Sequence, residues 1–181
     1  MRELIVRAHL SVDGFVGGPD GAVEWVFDSM DEAAVRDTVA TLAGAGTHAM
    51  GAVTYRDMAA HWPTSDEAYA PPMNDVPKVV FARSPIDTPW GEVRVAAGDM
   101  AEEVRRLKAE PGGYVLAHGG SRFFQALAAT GLVDEYRLLV HPVVLGAGLP
   151  LFAPQRVPQR LALVGTTRFP CGAIACVYRS A

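Results

Sequence analysis

The chain has little of several things, and each scarcity narrows the reading. Of its 181 residues only two are cysteine, Cys171 and Cys176. On a single strand their separation of five would put them on opposite faces, so pairing is not expected. Two cysteines are also far from a disulfide framework, and a reducing, cytoplasmic setting fits. Positive charge is not in excess. The formal net charge is -4, so no global field would recruit a nucleic acid, although a local basic pocket is still allowed. No run approaches the ~18 apolar residues of a membrane span, and "MRELIVRAHLSVDG" lacks the apolar core and cleavage site of a signal peptide. His9, His48, His61, His118 and His141 show no ligand spacing with the cysteines, so no metal site is expected. There is no internal repeat, low-complexity tract or linker, and residues 1–181 read as one domain.

What is present is a well-supplied core, with half the residues hydrophobic and 20% charged. "ELIVRAHLSV" reads as a buried strand, and the glycine-rich "DGFVGGPDG" as the loop after it. Ala34, Val35, Thr38, Val39 and Leu42 share one face of a helix over 31–42. A short strand near Thr47–Met50 leads through Gly51 into another helix. Residues 62–77, rich in Pro, Asp and Ser, read as loop. "KVVFARS" and "EVRVAAG" are strands. "DMAEEVRRLKAE" is a helix with Asp99 as its N-cap, acids early and bases late, as the helix dipole favours. "GGYVLAHGG" and "SRFFQALAATG" give a strand and a helix closed by Gly131. "VDEYRLLVHPVVLG" is a strand broken near Pro142. "RLALVGTTRF" and "CGAIACVYRS" form an antiparallel pair about a Pro170–Gly172 turn. This order predicts an α/β fold of three αβα layers. Its central sheet is mostly parallel, with antiparallel edge strands at the C-terminus.

Three strand ends suit a ligand. "LAH" runs into Gly119-Gly120 and a helix, "THAM" into Gly51 and a helix, and "VVF" into Ala82-Arg83-Ser84. Ligands of open α/β sheets bind beyond the carboxyl ends of the strands, and glycine lets a phosphate reach the free amides of a helix start. Alone, Gly119-Gly120 is more often a packing turn than a phosphate site. The dinucleotide fingerprint G-x-G-x-x-G is absent, because "GGSRFF" has no third glycine.

Taken together, "SVDGFVGGPDG", "HAMGAVTYRDM", "KVVFARS" and "GGYVLAHGGSRFFQALAATGLVDEYRLLVHPVVLGAGLPLF" resemble the dihydrofolate reductase-like superfamily. More closely they resemble the reductase domain of bacterial riboflavin biosynthesis and its stand-alone relatives. The resemblance implies NADPH as cofactor, a small heterocycle as substrate and a homodimer. Ala8 would line the nicotinamide end, with Val16 and Gly17 in a loop over it. Gly51 and Thr54 would receive the pyrophosphate, and Arg83 and Ser84 the adenosine and its 2′-phosphate. Gly119, Gly120, Ser121, Arg122 and Phe123 would hold the central phosphates and the nicotinamide side. Ala52 stands where many relatives carry an arginine, which leaves NADPH preference to Arg83. Asp28, then Glu24, is the candidate proton source, and Asp13 reads as a turn former. Trp25, Trp62 and Tyr55 could stack on a flat ring or pack a core. No H-x-E…P-C-x-x-C signature is present, so zinc deaminase activity is not expected. The expected activity is 5-amino-6-(5-phosphoribosylamino)uracil reduction. The alternatives are a non-catalytic nucleotide-binding protein of the same fold and a true dihydrofolate reductase, the latter lacking recognisable folate contacts.

Overall fold

The structure, a computed structural model, describes residues 1–154 and 157–181. Eight strands form one sheet. In chain order they are β1 (Leu4–Ser11), β3 (Thr47–Gly51), β4 (Lys78–Phe81), β5 (Val93–Ala96), β6 (Val115–Ala117), β7 (Glu135–His141), β9 (Leu161–Arg168) and β10 (Ile174–Ser180). Across the sheet the order is β5-β4-β3-β6-β1-β7-β10-β9. The first six of these positions run parallel, while β10 and β9 are antiparallel to what precedes them. The expected three layers and antiparallel edge are therefore present.

Alternation along β1 explains the layers. Leu4, Val6, Ala8 and Leu10 face a core with Val104 and Leu107 of α4 (Met100–Ala109) and Phe123, Phe124 and Leu127 of α5 (Ser121–Ala129). Ile5 faces the other way, with Met50, Val80 and Leu116. There it meets Leu42 of α1 (Glu32–Ala43), Tyr55 of α2 (Ala52–His61) and Met73 of α3 (Ala70–Asp75). The α1 face is buried at Ala34, Thr38 and Leu42, as its spacing required. Asp99 caps α4 through the amides of Ala101 and Glu102, and Gly131 takes a φ of +68° just past α5.

Three features depart from the sequence reading. Residues 62–77 are not all loop: a 3-10 turn over Trp62–Thr64 and the helix α3 lie within them. Pro71 and Pro72 sit in the first turn of α3, where a missing N–H costs nothing, so these prolines mark a helix start rather than a break. A second sheet also forms, from β2 (Phe15–Gly17) and β8 (Leu149–Pro150), in segments too short to show alternation. Finally, Cys171 lies in the turn before β10 rather than on a strand with Cys176, and both thiols are free.

Candidate active site

The three strand ends singled out above belong to β4, β3 and β6, which are neighbours in the sheet. Their carboxyl ends lie side by side. Gly51 ends β3 and is the N-cap of α2, and Gly120 is the N-cap of α5. The two helix starts are joined directly: the Gly120 amide donates to Thr54 Oγ1 at 3.4 Å. Gly119 has a φ of +144°, and a Cβ there would lie 3.2 Å from Thr54 Oγ1 and 3.4 Å from the Phe123 ring. A side chain would therefore be strained by conformation and crowded by neighbours. A Cβ on Gly120 would meet nothing within 4 Å, so its backbone is open to the outside. Two adjacent helix N-termini with glycine caps suit an anionic group.

The other expected cofactor residues sit in different surroundings. Phe123 is buried against Phe81, with ring centroids 5.4 Å apart, and backs Gly51. Ala8 is buried on the α5 side of β1. Arg83, Ser84 and Arg122 are exposed, the first two just past the end of β4 and the third in the first turn of α5. Ser121 is turned elsewhere. Its hydroxyl donates to the Pro150 carbonyl and accepts from Gln125, so the side chain anchors β8 and only its amide faces the helix end.

Val16 and the buried Gly17 lie in the β2–β8 flap. Asp13 accepts from the amides of Gly146 (2.8 Å) and Leu145 (3.2 Å), tying the loop after β1 to the loop after β7. Hydrogen bonding, that with Ser11 first, holds the Asp13 carboxyl below its usual range. A Cβ at Gly148 would lie 2.3 Å from the Gly17 carbonyl. The paired motifs "SVDGF" and "LGAGLPLF" thus build one flap, and Asp13 is its anchor.

Glu24 and Asp28 are both exposed, on a 3-10 turn over Glu24–Ser29. Asp28 caps no helix. Asp31 caps α1 instead, accepting from Ala34 N at 2.8 Å and, through its other oxygen, from Cys171 N at 2.8 Å. Trp25 stands edge-on to His141, whereas Tyr55 is fully buried beside Trp90 and is core. Trp62 packs edge-on against His61 and Tyr69.

Sequence reasoning missed a hydrogen-bonded chain on the α1 side of β1 and β7. Arg7 reaches Thr38 (2.7 Å) and His9 Nε2 (3.1 Å). His9 Nδ1 meets His141 Nε2 at 2.8 Å, and His141 Nδ1 meets Ser29 Oγ at 2.7 Å. Burial, reinforced by the Arg7 charge, pushes His141 down to about 4 and His9 well below the usual imidazole value. Burial likewise lowers Arg7 to about 10. Beside this chain His48 and His118 stack at 4.5 Å, with His48 Nδ1 and His118 Nε2 lacking partners among the described residues. Burial lowers His48 to about 4, and burial, then His48 and Arg7, lowers His118 well below the usual imidazole value. Period-two spacing within "VRAHLS" could have flagged Arg7 and His9 as one face. Their link to His141 and Ser29 spans about a hundred residues or more and has no local signal. Among the described residues no cluster of three or more His, Cys, Asp or Glu could hold a metal ion.

The chain resembles several known proteins. A Bacillus subtilis protein of uncharacterised role, YyaP, is 28% identical over 98% of this chain and 94% of its own length. A protein of Shewanella sp. PV-4 ascribed to riboflavin biosynthesis superposes with a TM-score of 0.82 at 20% identity, covering 99% of both chains. The Thermotoga maritima diaminohydroxyphosphoribosylaminopyrimidine deaminase/5-amino-6-(5-phosphoribosylamino)uracil reductase matches at TM-score 0.70 and 16% identity, over 99% of this chain and 57% of that one. Dihydrofolate reductase from Enterococcus faecalis, solved with NADP(H), matches at 0.65 and 13% identity, over 98% of this chain and 96% of that one. The fold is thus dihydrofolate reductase-like. The sequence matches the RibD C-terminal domain across residues 2–175, and the chain belongs to that family.

Proposed function

We propose that the protein is an NADPH-dependent reductase of a small heterocycle, of the 5-amino-6-(5-phosphoribosylamino)uracil reductase type. The observation that carries this is the paired helix start, where Gly51 and Gly120 cap α2 and α5 and Thr54 joins them. The family, and the reductase and NADP(H) named for two of its structural neighbours, support the same reading.

In this proposal the amides that open α2 and α5, Ser121 among them, hold the pyrophosphate, Gly51 and Gly120 let it approach, and Thr54 and Arg122 flank it. Arg83 and Ser84, past the end of β4, meet the adenosine side. With alanine at position 52, Arg83 alone selects the 2′-phosphate. Ala8 and Phe123 form the apolar wall of the nicotinamide end, and the flap carrying Val16 and Gly17 keeps water out. When bound, the dinucleotide supplies a hydride from its nicotinamide. Asp28, with Glu24 on the same exposed turn, supplies the accompanying proton through water at the mouth. A homodimer forms on the β9–β10 edge, where Leu163, Val164 and Ile174 are exposed. Sedimentation should give twice the chain mass, and a clean monomer would remove that part. Titration of NADPH, followed by nicotinamide fluorescence, tests the central reading. Saturable enhancement is expected, and no change at millimolar cofactor would sink it.

A further inference from the structure

The chain Arg7–His9–His141–Ser29 has only one consistent set of hydrogen positions. A guanidinium carries donors and no acceptor. Arg7 therefore donates to His9 Nε2, which must bear a lone pair. Neutral His9 then carries its proton on Nδ1 and donates it to His141 Nε2. His141, also neutral, carries its proton on Nδ1 and donates to Ser29 Oγ. The direction set at Arg7 is passed along two rings to a hydroxyl. Ser29 accepts there, so its own hydrogen is left free, and no other partner of its hydroxyl exists among the described residues.

The groups around the chain keep this order. Asp37 and Tyr69 lie near enough to Arg7 to favour its charge, and Arg137 and the desolvation of the site oppose it. No carboxylate is hydrogen-bonded to Arg7 among the described residues, so nothing draws its donors away from His9. Protonating either imidazole would set an N–H against an N–H. Ser29 ends the 3-10 turn that also carries Asp28, over the carboxyl ends of β1 and β7 and next to Trp25, which stands edge-on to His141.

We propose that Ser29 is a dedicated hydrogen-bond donor to the substrate, fixed in that role by Arg7, His9 and His141 acting as positioning residues. The substrate atom it meets is an acceptor, a ring carbonyl oxygen or an imine nitrogen. The site therefore selects a heterocycle that presents an acceptor at that position, such as a pyrimidinedione carbonyl, over one that presents an N–H there. The proposal rests on the reductase reading for the identity of the pocket, and its hydrogen-bond polarity rests on the geometry alone.

Long-range proton–nitrogen NMR of the imidazoles at neutral pH reads the polarity directly. His9 and His141 should both show the Nδ1–H tautomer, and Arg7→Met should release His9 from it. In the NADP⁺ complex, 5,6-diaminouracil is the probe. Ser29→Ala should weaken its binding roughly tenfold, as loss of one buried hydrogen bond allows, with cofactor affinity unchanged. Ser29→Thr, which keeps the hydroxyl, should restore most of it. An Nε2–H tautomer at either histidine would overturn the proposal. So would a wild-type complex that does not bind the probe, or one whose affinity the alanine variant leaves unchanged. Failure of the reductase reading has a different signature: no NADPH fluorescence change, with both Nδ1–H tautomers still in place.

Discussion

Lowering the pH from 7 to 4.5 should destabilise the fold through its buried histidines. His48 and His141 are fully buried, and burial pushes each to about 4 from an ordinary value of 6.5. His9 and His118 are lowered in the same direction. The sign follows from linkage. Between pH 6.5 and 4 the unfolded chain takes up protons at these rings and the native chain refuses them, so stability falls as pH falls. Above 6.5 neither state binds them and the effect vanishes. A shift of about 2.5 units is worth about 3 kcal/mol per histidine at the acid end, so His48 and His141 together remove about 6 kcal/mol. That is comparable with the whole stability of an ordinary domain, about 5–15 kcal/mol. Asp13 and Asp31 are held below the usual aspartate value, so they add to the fall only below about pH 5. Urea unfolding at half-unit steps of pH measures the effect. The free energy should be flat above pH 7 and then fall by up to about 2.7 kcal/mol per pH unit from these two rings. His48→Gln should remove about half of that slope. A stability unchanged between pH 7 and 5 would refute the reasoning.

Four further outcomes follow from backbone and caps. Gly119→Ala should cost about 1–3 kcal/mol by thermal or urea unfolding, because a residue with a side chain is forced to a φ of +144° against Thr54 and Phe123. Gly120→Ala should leave the melting temperature near wild type, since its Cβ meets open space, yet weaken NADPH in the fluorescence titration. Gly148→Ala should unpair β2 from β8, seen as faster amide exchange in residues 15–17, because its Cβ would overlap the Gly17 carbonyl. Asp31→Ala should lose about 1 kcal/mol for the α1 cap, and more through the Cys171 amide that the same carboxylate holds, measured by urea unfolding.

Much of the fold was legible because burial writes itself into local spacing. The period-two alternation of β1, the apolar face of α1 and the charge order of α4 are local signals, and each element formed where it was expected. The glycines at the strand ends were legible for a related reason: Gly51, Gly119 and Gly120 each mark a place where a strand must turn into a helix. The unread parts are those that only tertiary pairing defines. β2 and β8 are three and two residues long and exist because Asp13 binds the loop after β7. α3 was hidden by prolines that break most helices and start this one. The histidine chain joins Arg7, Ser29 and His141, and nothing in the neighbourhood of any one of them announces the other two. Glu24 and Asp28 were chosen by residue type, and the same turn presents Ser29 as the side chain tied into the fold.

The central claim is that the starts of α2 and α5 hold a dinucleotide phosphate. A crystal structure of the protein grown with NADP⁺ tests it most directly. The account predicts the pyrophosphate against the amides that open α2 and α5, beside Gly51 and Gly120, with the adenosine end towards Arg83. Density for the cofactor anywhere else on the molecule, or none at saturating concentration, would contradict it.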